Sequence, residues 1–207
     1  MPEASDHRSP RFAILASGRG SNACALMDSF TQGMNQGTVA LVITNRPNAA
    51  VLERARERNV EALAIDHKGI EREAHEEAML KALREYGVEH ILLAGYMRIL
   101  SASFLEAFPG KVINIHPSLL PDFRGLHAIE RQWEAGVKVA GATVHLVTPE
   151  VDEGPIILQG SLDVRGNEGA DGLASRILEE IEHHIYPRAV WLFTQREYAT
   201  TNQENMP

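Results

Sequence analysis

The sequence has a single cysteine, Cys24, so no internal disulfide can form; the residue falls inside a helical pattern, where a buried, inert thiol is expected. No run of about 18 apolar residues occurs, and no membrane-spanning helix is expected. The first ten residues, MPEASDHRSP, lack the apolar stretch of a signal peptide and read as a loose tail, which points to the cytoplasm. Positive charge is in deficit: 20 Lys and Arg face 28 Asp and Glu, a formal net charge of −8, so nucleic acid is not an expected partner. A small anionic substrate stays compatible, because one phosphate needs only a local cradle of N–H groups. The rest of the composition, 44% apolar and 23% charged, suits one soluble domain with a full core. That domain is expected over residues 11–195, between flexible tails at 1–10 and 200–207. A monomer and a homodimer both fit this composition.

Arg11 to Ala16 (RFAILA) has the length and composition of a strand and runs into Ser17-Gly18-Arg19-Gly20-Ser21-Asn22, after which a helical pattern covers about Ala23 to Phe30. Gly18 and Gly20 permit close backbone approach, Ser21 or Asn22 can cap the helix, and the helix amino terminus attracts an anion. Gly20, Ser21 and Asn22 are therefore candidates for holding a phosphate, with a purely structural tight turn as the alternative. The spacing Gly18, Gly20, Ala23 fits a loose dinucleotide fingerprint. However, the second strand, Thr38 to Thr44, leads into Asn45-Arg46-Pro47 without the acid a dinucleotide needs, and no G-K-[ST] makes a P-loop.

Helices are expected at 49–59 and 70–86, and strands at 61–65 and 90–94. This alternation implies an α/β fold: a single doubly wound, mostly parallel sheet with helices on both faces. Arg72 lies in the first turn of the third helix, where a cation opposes the helix dipole, so it is either a ligand contact or a solvated side chain. Met97, Arg98, Ile99 and Leu100 follow a strand's carboxyl end, where a wall for a flat ring and core packing both fit. A long helix is expected from Ala170 to about Gln195, interrupted near Pro187.

Chemistry concentrates in Lys111 to Asp122, KVINIHPSLLPD. Alternation puts Val112, Asn114 and His116 on one face of a strand and Ile113 and Ile115 on the other. Pro117 ends that strand, leaving amide and imidazole near the carboxyl tip, where open α/β sheets bind ligands. The amide N–H can stabilise negative charge on a carbonyl oxygen and the imidazole can move protons. A later loop, PEVDEGP, offers Asp152; a carboxylate within about 4 to 6 Å would raise the His116 pKa by about 1 to 3 units and keep the ring charged at neutral pH. His127 and His145 read as hydrogen-bonded supporting residues, and His183 and His184 as partly solvated. These scattered imidazoles lack the spacing of a zinc site, and no metal is expected.

The run INIHPSLLPDFRGLH, followed by GATVHLVTPEVDEGPIILQ, resembles the formyltransferase family that uses 10-formyltetrahydrofolate. SGRGSN narrows the resemblance to the branch acting on 5-phosphoribosylglycinamide in de novo purine biosynthesis, and the similarity extends from about Arg11 to Trp191. It implies a Rossmann-like formyltransferase fold, 10-formyltetrahydrofolate as co-substrate and phosphoribosylglycinamide as acceptor, with phosphate binding in the amino-terminal half and folate and catalytic loops in the other. It also implies that Asn114, His116 and Asp152 are the catalytic trio, with Asp152 holding up the His116 pKa. By the same resemblance Gly20, Ser21 and Asn22 bind the phosphoribosyl substrate, Glu182 contacts its glycinamide, and Arg72, Met97, Arg98, Ile99 and Leu100, together with Asn114, line the folate site. Asp122 and Arg124 depart from the family pattern, which often has a basic residue and a proline there, and the interval from Arg176 to Glu182 is one residue longer.

Three other readings carry their own requirements. A formyltetrahydrofolate deformylase implies an amino-terminal regulatory domain and a doubled histidine at the catalytic strand, where this chain has His116 alone. A methionyl-tRNA formyltransferase implies a basic, tRNA-binding carboxy-terminal extension. A nucleotide-binding module without transfer chemistry would set Arg46 near the 2′-phosphate of NADP.

Overall fold

The computed structural model describes residues 9–204, with side chains through 195. Five strands, β1 (Arg11–Ala16), β2 (Thr38–Thr44), β3 (Ala62–Ala64), β4 (His90–Leu93) and β5 (Val112–His116), pair in parallel. Two longer ones, β6 (Val139–Leu146) and β7 (Ile156–Asp163), are added antiparallel, giving one sheet in the order β3-β2-β1-β4-β5-β6-β7. The helices are α1 (Ser21–Thr31), α2 (Val51–Arg56), α3 (Arg72–Glu85), α4 (Ala102–Glu106), α5 (Ala128–Glu134), α6 (Gly169–Arg176) and α7 (His183–Glu204), with a π-helical turn, Ile177–Glu182, between the last two.

The two-residue period of the strands sorts the core into two layers. Phe12, Ile14, Leu92, Ile113 and Val144 face one side and pack with Leu26 of α1 and Tyr186 and Ala189 of α7. Ala13, Leu15, Ile91, Leu93 and Val112 face the other, against Met79 and Leu83 of α3 and Phe104 of α4. Each such fully buried large side chain contributes about 1.5–3 kcal/mol. Asn114, between Ile113 and Ile115, thereby points to the α3 and α4 side at the end of the sheet, as alternation requires.

Several local expectations change. Neither Ser21 nor Asn22 caps α1; the N-cap is Gly20, in the left-handed region with φ 77°. Cys24 is half-buried and lines a shallow cavity with Asp28, Arg54 and His183, so burial does not make it inert. Pro10 is buried and its carbonyl accepts the Thr38 N–H at 3.0 Å, so the body of the domain includes it. At the other end α7 is helical through Thr200 to Glu204, where an irregular tail is expected; residues 1–8 and 205–207 lie outside the described residues.

The interruption of the long helix falls at Ile177–Glu182, before Pro187, which lies within α7. Both flanks of this turn are pinned. Arg176 bonds Glu168 at 3.1 Å, Glu180 at 2.9 Å and the Asp163 carbonyl at 3.0 Å. The fully buried Tyr186 hydroxyl lies 3.0 Å from the carbonyls of both Leu93 and Ile113. Between these pins the chain widens one turn into a π-bulge. Ile177, Ile181 and Glu182 consequently all stay buried.

Candidate active site

Strand order reverses between β1 and β4, so the loops leaving their carboxyl ends diverge and open a crevice. Ser17 ties its walls together: the N–H donates to Gly95 O at 3.1 Å, while the hydroxyl accepts the Met97 N–H at 2.9 Å and donates to Asn45 Oδ1 at 2.6 Å. At Gly20 a Cβ would stand 2.5 Å from Val51 Cγ2, so only glycine lets the loop lie against α2 in its left-handed conformation. The first N–H groups of α1, at Ser21 and Asn22, have no partner within the helix and are left for an anion.

Behind them Asn22 Nδ2 donates to Glu182 Oε2 at 2.6 Å, both side chains being buried, while Asn22 Oδ1 has no partner among the described residues. Burial pushes the Glu182 carboxyl above the ordinary carboxylate range, against the pull of the Asn22 N–H. The π turn sets Glu182 against Asn22, so the structure brings Gly20, Ser21, Asn22 and Glu182 together.

The second cluster forms where the sheet turns antiparallel. Asn114 of β5 sits directly opposite His145 of β6, and His116 opposite Thr143. The His145 Nδ1–H donates to Leu146 O at 2.8 Å, which leaves Nε2 facing Asn114 Nδ2 at 3.2 Å and Asp152 Oδ1 at 3.5 Å. Nε2 thus stands between the Asn114 amide, which it aims, and the Asp152 carboxylate; the second N–H of the half-buried Asn114 is left for a ligand. Asp152 Oδ2 lies 3.3 Å from His116 Nδ1 and accepts the Gly125 N–H at 2.8 Å. The His116 Nε2–H donates to Phe123 O at 3.0 Å.

The sign of the His116 shift is a correction. Burial lowers its pKa, and the Phe123 carbonyl and the Asp152 carboxylate, which pull upward, do not overcome it. In the unliganded site the ring is therefore neutral at pH 7, because desolvation of an imidazolium outweighs one carboxylate at 3.3 Å. Burial also pushes Asp152 up, but His145, the Gly125 N–H and His116 together outweigh it and hold the carboxyl below its usual range.

The third group lines the wall between the two clusters. Arg72 Nη2 donates to Ile99 O at 2.9 Å and Nε to Glu76 at 3.3 Å, so the arginine braces the loop after β4. Met97 and Ile99 are 62% and 65% exposed, too open for core packing, and Arg98 is half-buried. Leu100 differs: its side chain is buried with Phe104 and Phe108, so only its backbone is available to a ligand.

Sequence reasoning placed His145 merely as supporting, because the antiparallel register that sets it opposite Asn114 is tertiary. Phe123, whose carbonyl holds His116, and Gly125, whose N–H holds Asp152, were missed. Backbone groups carry both roles, and the only signal was their place in FRG between two candidate loops.

A family model described as formyl transferase matches residues 10–190. Phosphoribosylglycinamide formyltransferase of Bacillus subtilis (strain 168) is 40% identical over 181 residues, covering 87% of this chain and 92% of that protein. The crystal structure of glycinamide ribonucleotide transformylase 1 from Symbiobacterium toebii superposes with a TM-score of 0.88 at 47% identity, covering 91% of this chain and 89% of that one. The trifunctional purine biosynthetic protein adenosine-3 of Drosophila melanogaster is 42% identical over 187 residues, 88% of this chain but 14% of its own length. With the matched span covering the sheet, both clusters and the wall between them, the chain belongs to the formyl transferase family.

Proposed function

We propose that this chain transfers the formyl group of 10-formyltetrahydrofolate to the amine of 5-phosphoribosylglycinamide, a step of de novo purine biosynthesis, within one domain. The observation that carries the reading is the cluster at the carboxyl end of β5, where Asn114 lies 3.2 Å from His145 and the two Asp152 oxygens lie 3.5 Å from His145 and 3.3 Å from His116. The names of the relatives support the acceptor, and the cradle at Gly20, Ser21 and Asn22 supports its phosphate. Glu182 accepts from the glycinamide amine, and Arg72 with the loop at Met97 to Leu100 takes the folate.

In this reading the neutral amine attacks the formyl carbon, forming a tetrahedral oxyanion and an ammonium. The free N–H of Asn114 donates to the oxyanion. Substrate entry displaces Nε2 of His116 from the Phe123 carbonyl, and Asp152 then holds the tautomer with the proton on Nδ1 and Nε2 open. Nε2 takes the ammonium proton, the imidazolium pairs with ionised Asp152, and the proton passes to the folate nitrogen as its bond to the formyl carbon breaks. No step needs a metal.

The test is a spectrophotometric assay of folate release from a 10-formylfolate analogue, with and without glycinamide ribonucleotide. Release only with the amine present is expected. Equal release without it means hydrolysis, and no release in either case leaves a binding module; both overturn the proposal.

A further inference from the structure

We propose that the Arg124–Glu153 ion pair is a clip that positions His116 by fixing the separation of the two groups that face its ring nitrogens. The His116 Nε2–H donates to Phe123 O at 3.0 Å, and Asp152 Oδ2 stands 3.3 Å from the other ring nitrogen, Nδ1. Those partners come from different loops, the one after β5 and the one after β6. Both are non-glycine residues in the left-handed region, Phe123 at φ 55° and Asp152 at φ 56°. Such a conformation persists only where its surroundings hold it.

The next residue of each loop is a member of the pair: Arg124 Nη1 meets Glu153 Oε1 at 2.5 Å. Arg131 of α5 completes the frame, donating to the Arg124 carbonyl while its guanidinium stands 6.0 Å from the Phe123 ring centroid. The only other hydrogen bond between these two loops among the described residues runs from the Gly125 N–H to Asp152. Neither Arg124 nor Glu153 touches His116. The charged and titratable groups that do face the ring are Asp152, His145 and Arg131, so the pair acts through Phe123 and Asp152.

Arg124 and Glu153 are 41% and 48% exposed, so the clip is a modest, salt-screened interaction, corresponding to about 1.5- to 5-fold in the population of the clipped arrangement. The kinetic part rests on the formyl-transfer reading; the spectroscopic part does not. Arg124→Ala and Glu153→Ala are each expected to lower kcat about 2- to 5-fold at low salt without changing KM for the ribonucleotide. The double variant is expected to lose no more than either single one, and wild type to fall to the same level in about 1 M salt, where the screening length is about 3 Å. In the substrate-free protein, 15N signals of the His116 ring report which nitrogen carries the proton, and both variants are expected to shift them while Arg124→Lys largely restores them.

Unchanged ring signals in both alanine variants overturn the clip whatever the enzyme's activity. So do losses that multiply in the double variant, or a rise in KM for the folate with kcat intact, which would make Arg124 a ligand contact. If wild type transfers no formyl group, the functional reading fails and the ring signals alone decide the clip.

Discussion

Glu182 is 7% exposed, accepts one hydrogen bond from Asn22 at 2.6 Å and has no ion-pair partner among the described residues. Burial raises its pKa, so the folded state binds this proton more tightly than the unfolded chain does. The resulting stability is fully present below the unfolded carboxyl pKa of about 4.3 and is lost as pH rises through the folded value. Above a pH of about 4.3 the folded state must either keep a proton that the unfolded chain releases or carry a buried carboxylate with a single donor, and such under-satisfied buried groups cost about 1–3 kcal/mol. Glu182→Gln keeps the size and an acceptor for Asn22 but removes the charge. It is expected to stabilise the substrate-free protein by about 1–3 kcal/mol at pH 8 and by close to nothing near pH 4, where glutamic acid is already neutral. For a domain of this size each kcal/mol moves Tm by about 2–4 °C, which calorimetry on wild type and variant across that pH range resolves. The same substitution takes away the carboxylate assigned to the amine, so KM for the ribonucleotide rises as Tm rises. An equal Tm change at both ends of the range, or a loss at pH 8, would refute the reasoning, because the charge would then be satisfied in the free protein.

Asn114→Ala removes one oxyanion donor and is expected to lower kcat about 10²- to 10³-fold in steady-state assays, with near-wild-type turnover contradicting its role. Because burial lowers the His116 pKa, the acid limb of kcat/KM is expected to have its midpoint below about 6.5; a midpoint above 7 would mean that the carboxylate wins after all. The same depression makes stability increase as pH rises through the interval between the folded His116 pKa and about 6.5, where the unfolded chain binds more protons, and His116→Asn should flatten that rise in denaturant titrations. Gly20→Ala combines a left-handed φ of 77° with a Cβ 2.5 Å from Val51 Cγ2, so Tm should fall and KM for the ribonucleotide should rise more than kcat drops. Adding Val51→Ala removes the contact but not the φ, and should recover only part of the Tm.

The parallel half of the fold was legible because its signals are local. RFAILA, TVALVIT and HILLA are apolar runs of strand length, and the glycine turn after the first names the ligand end of the sheet. Asn114 and His116 were legible as a pair for the same reason, since a two-residue period decides which face they share. Features that depend on distant chain were not. The His116 pKa turns on how much water the loops at Phe123 and Asp152 exclude, and a carboxylate in sequence says nothing about that. Leu100 reads like Met97 and Ile99 in a string of letters, yet it alone packs into the layer with Phe104. The π turn was not legible either: it lies between pins at Arg176 and Tyr186 whose partners, Glu168, Leu93 and Ile113, are fixed only by the fold.

The two ends of the transfer are built by different means, and the sheet explains why. A parallel strand delivers its carboxyl end to a turn and a helix, so the end proposed to take the phosphoribosyl group is made of backbone N–H groups, glycine and one helix terminus. Proton transfer needs side chains fixed relative to one another, and antiparallel pairing supplies that by setting residues of β5 and β6 face to face. Asn114 opposite His145 gains an amide aimed by a buried ring. His116 opposite Thr143 gains more than a neighbour, because the Thr143 hydroxyl donates to Ser118 O at 2.6 Å and accepts the Leu120 N–H at 3.0 Å, while Gln159 of β7 reaches the same hydroxyl and Leu120 O at 2.9 Å. The loop that carries Phe123 to the His116 ring is thus stitched at its start to both antiparallel strands. Loss of the Thr143 hydroxyl, as in Thr143→Val, leaves the buried Ser118 carbonyl and Leu120 N–H short of a partner and loosens that loop, so turnover should suffer although Thr143 itself reaches no substrate.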